Sequence, residues 1–74
     1  MSDRVLAQVA GGVLTATLNR PDKRNAIDTE MIDALLETLQ RADLDAGVRV
    51  VALRGAGRDF CAGMDLNELL ASAE

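Results

Sequence analysis

Two short β-prone segments open the chain, and a pair of glycines separates them. Apolar residues dominate Leu6 to Val9 and again Val13 to Leu18. In the second segment, threonines at positions 15 and 17 alternate with apolar residues, which is the period-two pattern of a half-buried strand. Because Gly11 and Gly12 can adopt the positive φ angles of a tight turn, the pattern predicts a β-hairpin.

A helical periodicity follows the hairpin. Apolar residues recur at i, i+3, i+4 and i+7, with two more at the edges of the stripe: Ile32, Leu35, Leu36 and Leu39, then Met31 and Ala42. This spacing predicts an amphipathic helix from about Thr29 to Ala42. Asp28 is its predicted N-cap, because a carboxylate there can accept hydrogen bonds from the free amides of the first turn.

The next apolar segment predicts a strand that completes a β–α–β unit. Val48 to Arg54 has a continuous apolar centre, which is typical of a strand covered on both faces. A strand, a helix and a second strand in this order favour a crossover connection and a parallel sheet. A glycine-rich loop from Gly55 to Gly63 follows, and Asp65 is the predicted N-cap of a last helix through Leu66 and Leu70.

The composition excludes several classes of site. The 74 residues are 49% hydrophobic, which fits a folded segment rather than a disordered tail. A net charge of −4 and a single aromatic residue argue against nucleic acid as a partner. Without histidine, and with Cys61 as the lone cysteine, the chain offers no histidine-based metal site, no thiolate zinc cluster and no Ser–His or Cys–His pair, and no metal is predicted. The absence of a long apolar run or a signal segment predicts a cytoplasmic protein with no membrane partner.

A basic cluster between the hairpin and the helix is the first candidate for ligand binding. Arg20, Lys23 and Arg24 lie within five positions of an otherwise acidic chain. Such a loop could meet a phosphate-bearing ligand through charge-assisted hydrogen bonds. The alternative is a solvated turn with ordinary surface charge, and short charge runs alone do not distinguish the two.

The glycine-rich loop is the second candidate. It lacks the Gly-Lys-Ser/Thr of a phosphate loop, and Phe60 stands where a dinucleotide fingerprint has its third glycine. What remains is a strand–loop–helix junction with small residues at Ala62 and Gly63, where free backbone amides can face a ligand. An amide there would stabilise an oxygen that becomes an enolate. The alternative is a structural turn that needs glycine for its geometry.

Three segments together resemble a known family. Leu18 to Ala26 reads LNRPDKRNA, Val48 to Leu53 reads VRVVAL, and Gly57 to Leu66 reads GRDFCAGMDL. With the helix between them, they resemble the opening of an enoyl-CoA hydratase/isomerase (crotonase) protein over about Leu6 to Leu70. The resemblance implies an α/β fold, the N-terminal part of a crotonase-like β/α spiral. That part contains a β-hairpin, a helix, a buried strand, an oxyanion loop and the start of a helix, as a partial domain over residues 1–74.

The resemblance also implies an acyl-CoA thioester as the ligand. The implied substrate-binding set is Arg24, Ala26, Ala62, Gly63, Met64, Asp65 and Leu66. Within it, the Met64 backbone amide matches one of two donors in an oxyanion hole that holds the thioester carbonyl. Arg24 and Ala26 match positions at the nucleotide end, near phosphate and adenine. No cofactor is implied beyond the coenzyme A of the substrate, and a complete enzyme is expected to be a homotrimer or hexamer.

The type of reaction stays open. The second oxyanion donor and the catalytic carboxylates of the family are expected beyond position 74, so hydratase, isomerase, dehalogenase and hydrolase are not distinguished. One alternative is a truncated, non-catalytic remnant that at most binds CoA or associates with full-length subunits. Another is a small αβ fragment without activity. Met64 stands where the family often has Ala or Gly, which predicts an acyl pocket of different shape.

Three further side chains near the loop have predicted roles. Asp65 is expected to be a helix cap rather than a proton carrier. Cys61 is expected to be a small packing residue, since no histidine or nearby cation marks it as an activated thiol. Glu68 is expected to be a solvated acid in the first helical turn rather than a residue of the pocket.

Overall fold

The computed structural model describes residues 3–72 as a three-stranded sheet with one long helix packed against it. In chain order the elements are β1 (Val5–Ala10), β2 (Val13–Leu18), a short 3-10 turn (Pro21–Lys23), α1 (Thr29–Leu44), β3 (Val50–Gly55) and α2 (Leu66–Ser72). The strand order in the sheet is β1-β2-β3. Within residues 3–72, neither helix combines the length and the apolar content needed to cross a membrane.

The predicted hairpin is confirmed. Strands β1 and β2 pair antiparallel, with Val5 opposite Leu18 and Ala10 opposite Val13. Gly11 and Gly12 connect them with φ angles of 58° and 81°, the conformation of a two-residue turn that matches the twist of the strands. Burial alternates along β2 in the predicted period of two.

The predicted crossover is also confirmed. Helix α1 connects β2 to β3, which pair in parallel with Val13 opposite Val50 and Leu18 opposite Gly55. The prediction that β3 is covered on both faces is wrong for this chain. Val50 is 56% exposed and Leu53 is 49% exposed, because α1 packs mainly on β1 and β2 and an open groove lies between α1 and β3.

Helix α1 begins as predicted and turns a different side to the sheet. Asp28 caps it: its Oδ1 accepts a hydrogen bond of 2.8 Å from the Met31 amide. The sheet buries the predicted edge residues Met31 and Ala42, whereas Leu36, inside the predicted stripe, is 54% exposed. The apolar stripe is wider than the contact with a three-stranded sheet, so only part of the stripe is covered. Thr38, outside the predicted stripe, is buried instead, and its hydroxyl donates to the Ala34 carbonyl at 2.8 Å.

The core lies between α1 and the hairpin. Six apolar side chains form it: Val5, Leu14, Ala16, Leu18, Met31 and Ala42. Beside this core, an open apolar groove of about 330 Å³ separates α1 from β3 and the loop after it. Its lining includes Ile32, Leu36, Leu53 and Phe60, all at least 38% exposed. The apolar face of this chain is therefore only half covered by the chain itself.

Candidate active site

A single β-bridge joins the segment before α1 to the segment before α2. Ile27 donates its amide to the Gly63 carbonyl at 2.8 Å, and Asp65 donates its amide to the Ile27 carbonyl at 2.8 Å. In a parallel bridge of this pattern, the residue between the two bonded positions directs its own N–H away from the partner. That residue is Met64, and among residues 3–72 its amide hydrogen takes part in no hydrogen bond.

The amides on either side of Met64 are both engaged. The Gly63 amide donates to the Cys61 sulfur at 3.3 Å, and Asp65 donates to Ile27. Gly63 also has a φ of 95°, a conformation that side-chain-bearing residues rarely adopt. The loop is thus fixed on both sides of one available donor. Cys61 is partly buried against the core, in agreement with its predicted packing role.

An open cleft of about 440 Å³ lies beside the bridge. Five members of the predicted substrate-binding set line it, together with three polar residues: Ala26, Ala62, Met64, Asp65 and Leu66, then Arg20, Lys23 and Asn67. Gly63 contributes to the bridge rather than to the lining. The structure therefore brings together residues from two loops that lie about 40 positions apart in the sequence.

Arg24 lies outside this cleft, in a neighbouring depression of about 630 Å³. Its lining consists of Pro21, Arg24, Gly57, Arg58 and Asp59. The Arg24 Nε is 3.4 Å from the Asp59 carboxylate, and the Arg24 side chain is 72% exposed. This exposed guanidinium remains accessible to an anion, although Asp59 competes for it.

Arg20 is a structural residue rather than a free cation. Its Nη1 lies 2.8 Å from Asp65 Oδ2, 3.1 Å from the Ala26 carbonyl and 3.4 Å from Asp28 Oδ2. The hydrogen bond to Asp65, together with the charge of Asp28, raises the pKa of Arg20, although burial opposes the shift. All three contacts are made by Nη1, and two of them are to carboxylates, so Arg20 offers an anion less free charge than the exposed Arg24 does, although it lines the cleft.

Both carboxylate oxygens of Asp65 are engaged. Oδ2 accepts from Arg20, and Oδ1 accepts from the amides of Asn67 at 2.9 Å and Glu68 at 3.3 Å. The hydrogen bond from Arg20 lowers the pKa of Asp65 below its ordinary value, and the two amides act in the same direction while burial opposes them. The geometry confirms Asp65 as the cap of α2 and leaves it ionised at neutral pH, which does not suit a proton carrier.

Asn25 is a buried polar residue whose structural role the sequence did not reveal. It is fully buried, and its side-chain amide donates to the carbonyls of Ala56 at 2.9 Å and Asp59 at 2.7 Å. Its Oδ1 accepts from the Arg20 amide at 2.8 Å. Its φ is 57°, and the asparagine in this turn was a possible signal, since asparagine tolerates the left-handed conformation better than most residues. Asn25 thereby ties the basic loop to the glycine-rich loop.

Glu68 also differs from its prediction. Its Oε1 accepts a hydrogen bond of 3.2 Å from the Thr29 amide, so the first turn of α2 is linked to the first turn of α1. This side chain is partly buried rather than solvated. Nothing local in the sequence indicates the contact, because the two residues lie 39 positions apart.

Comparisons with known proteins assign this arrangement to a family. The enoyl-CoA hydratase/isomerase family model matches residues 13–74. The 1,2-epoxyphenylacetyl-CoA isomerase of Escherichia coli K12 is 46% identical over 68 residues, which are 92% of this chain and 26% of that protein. The chain belongs to the enoyl-CoA hydratase/isomerase family.

Solved structures of enoyl-CoA hydratase/isomerase proteins have the same fold. The enoyl-CoA hydratase from Mycobacterium tuberculosis H37Rv has a TM-score of 0.87 at 40% identity and is matched by 97% of this chain over 33% of its own length. An enoyl-CoA hydratase/isomerase from Xanthobacter autotrophicus Py2 has a TM-score of 0.89 at 38% identity, and the match covers 97% of this chain and 27% of that protein. The predicted fold, an N-terminal crotonase-like portion, is confirmed. The chain spans about a quarter of the length of the curated relatives.

Proposed function

We propose that this enoyl-CoA hydratase/isomerase segment binds an acyl-CoA thioester and donates the Met64 amide hydrogen to the thioester oxygen. The observation that carries the proposal is the unused Met64 donor, which lies beside a cleft and between two engaged amides. A donor held in this way needs no rearrangement when the oxygen takes on enolate charge. Preorganised donors of this kind stabilise the transition state more than the bound substrate.

The charges around the cleft fit an anionic ligand. Lys23 lines the cleft, and the exposed Arg24 lies in the adjacent depression with Arg58. The acidic residue of the cleft, Asp65, is neutralised by Arg20 and does not repel a phosphate as a lone carboxylate would. We assign the nucleotide end of the ligand to the side of Arg24 and Ala26. The acyl end then lies toward Met64 and Leu66.

The proton-transfer step belongs to the rest of a complete enzyme. A general acid or base must come within hydrogen-bond reach of the moving proton. Of the acids near the cleft, Asp65 is held by Arg20 and two amides, and Glu68 accepts from Thr29. This segment therefore contributes binding and charge stabilisation. The acids near the cleft do not supply the proton transfer that distinguishes hydration from isomerisation.

The test uses a chimaera in which this chain replaces the matching segment of the M. tuberculosis enoyl-CoA hydratase, which is 40% identical to it. Met64 is replaced by its α-hydroxy analogue through in vitro translation, so that an ester oxygen stands in place of the N–H. Hydration of crotonyl-CoA is followed by the loss of conjugated thioester absorbance. Removal of one oxyanion donor is expected to lower kcat by about 10²–10³-fold.

Two controls separate the lost donor from a disturbed loop. An ester at Met64 also weakens the Gly63 carbonyl as acceptor for Ile27, so a second ester is placed at Asp65, where it breaks the same bridge and keeps the Met64 N–H. Met64→Ala keeps the donor and should change mainly the acyl-chain preference. Proline is unsuitable, because it restricts the preceding residue and Gly63 has a φ of 95°. Equal losses for the two esters, or normal turnover with the Met64 ester, would reject the assignment.

A further inference from the structure

We infer that Arg20 is a positioning residue that holds the Met64 amide in place through Asp65. The inference rests on the proposed oxyanion role of Met64. It concerns a residue that the sequence placed among the phosphate-binding candidates and that the structure turns away from that role. Arg20 lines the cleft, but its charge is paired with Asp65, the residue that follows Met64.

One guanidinium nitrogen joins three points of the fold. Arg20 Nη1 contacts the carboxylate of Asp65 at 2.8 Å, the carbonyl of Ala26 at 3.1 Å and the carboxylate of Asp28 at 3.4 Å. Asp65 caps α2 and Asp28 caps α1, while Ala26 directly precedes the bridge residue Ile27. Arg20 therefore contacts one segment of the bridge on both sides of Ile27, and the other segment at Asp65, whose amide bonds to Ile27.

The Arg20 backbone is itself fixed. Its amide donates to Asn25 Oδ1 at 2.8 Å, and Asn25 donates in turn to the carbonyls of Ala56 and Asp59. The Arg20 side chain is only 12% exposed. Because arginine is held at its backbone and at its tip, it can define a distance between the two loops rather than merely follow one of them.

Polar links connect helix α2 to the body of the chain, and two of its apolar side chains are largely exposed. Leu66 and Leu70 are each 71% exposed. The polar connections to the body of the chain include the pair of Asp65 with Arg20, the bond from Asp65 to Ile27 and the bond from Thr29 to Glu68. The first of these is an ion pair, whereas the other two are hydrogen bonds donated by backbone amides.

The charges around Asp65 keep this contact formed at neutral pH. Arg20 lowers its pKa, Lys23 lines the same cleft, and Asp28 shares the guanidinium from the side of α1. Glu68 on α2 is the other acid nearby, and its carboxylate accepts from Thr29. Since the pKa of Asp65 is lowered by folding, the stabilisation from the pair is present above the ordinary aspartate pKa and is lost as the pH falls through the lowered value.

The test is a double-substitution cycle in the chimaera. The kcat is measured for the unaltered protein, for Arg20→Gln, for the Met64 ester and for the protein that carries both changes. If Arg20 acts through the Met64 amide, Arg20→Gln should lower kcat by about 10–100-fold in the unaltered background, since small misplacements of reacting groups cost up to about 10²-fold. In the ester background the same substitution should change kcat by no more than about twofold. The Kd for CoA should stay within about twofold in all variants, because the proposed phosphate contacts are not altered.

A second variant and a second measurement keep the inference testable if Arg20→Gln folds poorly. Asp65→Asn can keep the oxygen that caps α2 while an NH2 donor replaces the oxygen that accepts from Arg20, so it should show the same dependence on the Met64 amide. Hydrogen exchange by mass spectrometry should show faster exchange at the amides of Asp65, Asn67 and Glu68 in Arg20→Gln. Arg20→Lys should recover part of kcat, and Arg41→Gln, which removes an exposed charge in the last turn of α1, should match the unaltered protein.

The outcomes distinguish this inference from the proposed function. Normal turnover with the Met64 ester alone would overturn the oxyanion assignment and with it the route through which Arg20 acts. If the Met64 ester lowers kcat as expected, but Arg20→Gln lowers kcat equally with and without the ester, the oxyanion assignment stands and the positioning role is overturned. A large increase in the Kd for CoA without a change in kcat would also overturn it, and would return Arg20 to the ligand-binding residues.

Discussion

Asn25 gives the sharpest test of how the two loops of the site are held together. It is fully buried and makes three hydrogen bonds, two to carbonyl oxygens and one from an amide. Asn25→Gly removes all three bonds while the left-handed backbone conformation stays accessible. At about 1 kcal/mol net for each bond, the free energy of unfolding should fall by about 3 kcal/mol. The strain relieved by glycine and its greater backbone entropy largely offset each other, at about 1 kcal/mol each.

Asn25→Asp provides the matched comparison. Aspartate keeps the shape and can still accept from the Arg20 amide, but it sets a carboxylate oxygen against the carbonyls of Ala56 and Asp59. It should therefore destabilise the chimaera by about 1–3 kcal/mol more than Asn25→Gly at pH 8. Burial raises the pKa of the introduced carboxyl above its unfolded value, so stability is lost as the pH rises and recovered as it falls. The difference between the two variants should shrink toward pH 5.

The assay is urea unfolding of the chimaera and its variants, followed by circular dichroism at pH 8 and pH 5. The shift in midpoint multiplied by the common slope gives the change in free energy of unfolding. A decrease below about 1 kcal/mol for Asn25→Gly would show that the three bonds contribute less than the usual net value. Equal stability of the Gly and Asp variants at pH 8 would refute the role given to the two hydrogen bonds that the Asn25 amide donates to Ala56 and Asp59.

Two other substitutions test the loop packing and the basic depression. Gly55→Ala should lower the free energy of unfolding by about 2–3 kcal/mol, because a Cβ there would overlap the backbone of Asp59 and Phe60. The control in the same urea assay is Gly47→Ala, whose added Cβ would meet only a side-chain oxygen at 3.1 Å. Arg24→Glu should weaken CoA binding about 5–10-fold at low salt and less at high salt, as judged by calorimetry beside Arg41→Glu. Unchanged affinity at low salt would exclude Arg24 from the binding site.

The elements that the sequence predicts correctly are those specified by neighbouring residues. The hairpin depends on Gly11 and Gly12, which lie within the turn that they form, and the start of α1 depends on Asp28, three residues before the amide that it binds. The buried side of α1, in contrast, is not specified by neighbouring residues. Its apolar stripe is wide enough for more than one orientation, and the sheet that packs on it selects Met31 and Ala42. Periodicity reveals a stripe but not which part of it is covered.

The candidate site shows the same difference between local motifs and long-range contacts. The family resemblance, carried by contiguous motifs around Ala26 and Met64, implied a set of site positions, and five of them line the cleft. The contacts that join the two motifs could not be predicted. Arg20 meets Asp65 across 45 positions, and Asn25 meets Asp59 across 34. A charge in a turn looks the same in the sequence whether it faces a ligand or a partner acid, so Arg20 was grouped with cations that remain exposed.

The bridge between Ile27 and Met64 separates two surfaces with opposite requirements. Ile27 lines the apolar groove between α1 and β3, while Met64 lines the polar cleft. On the groove side, packing within the described chain is incomplete, and large apolar side chains such as Leu36 and Phe60 are more than half exposed. We therefore expect the hydrogen bonds of Arg20 and Asn25, more than apolar burial, to supply the precision that the proposed oxyanion donor at Met64 requires. Directional bonds suit this task better than hydrophobic contact, because they fix an orientation as well as a distance.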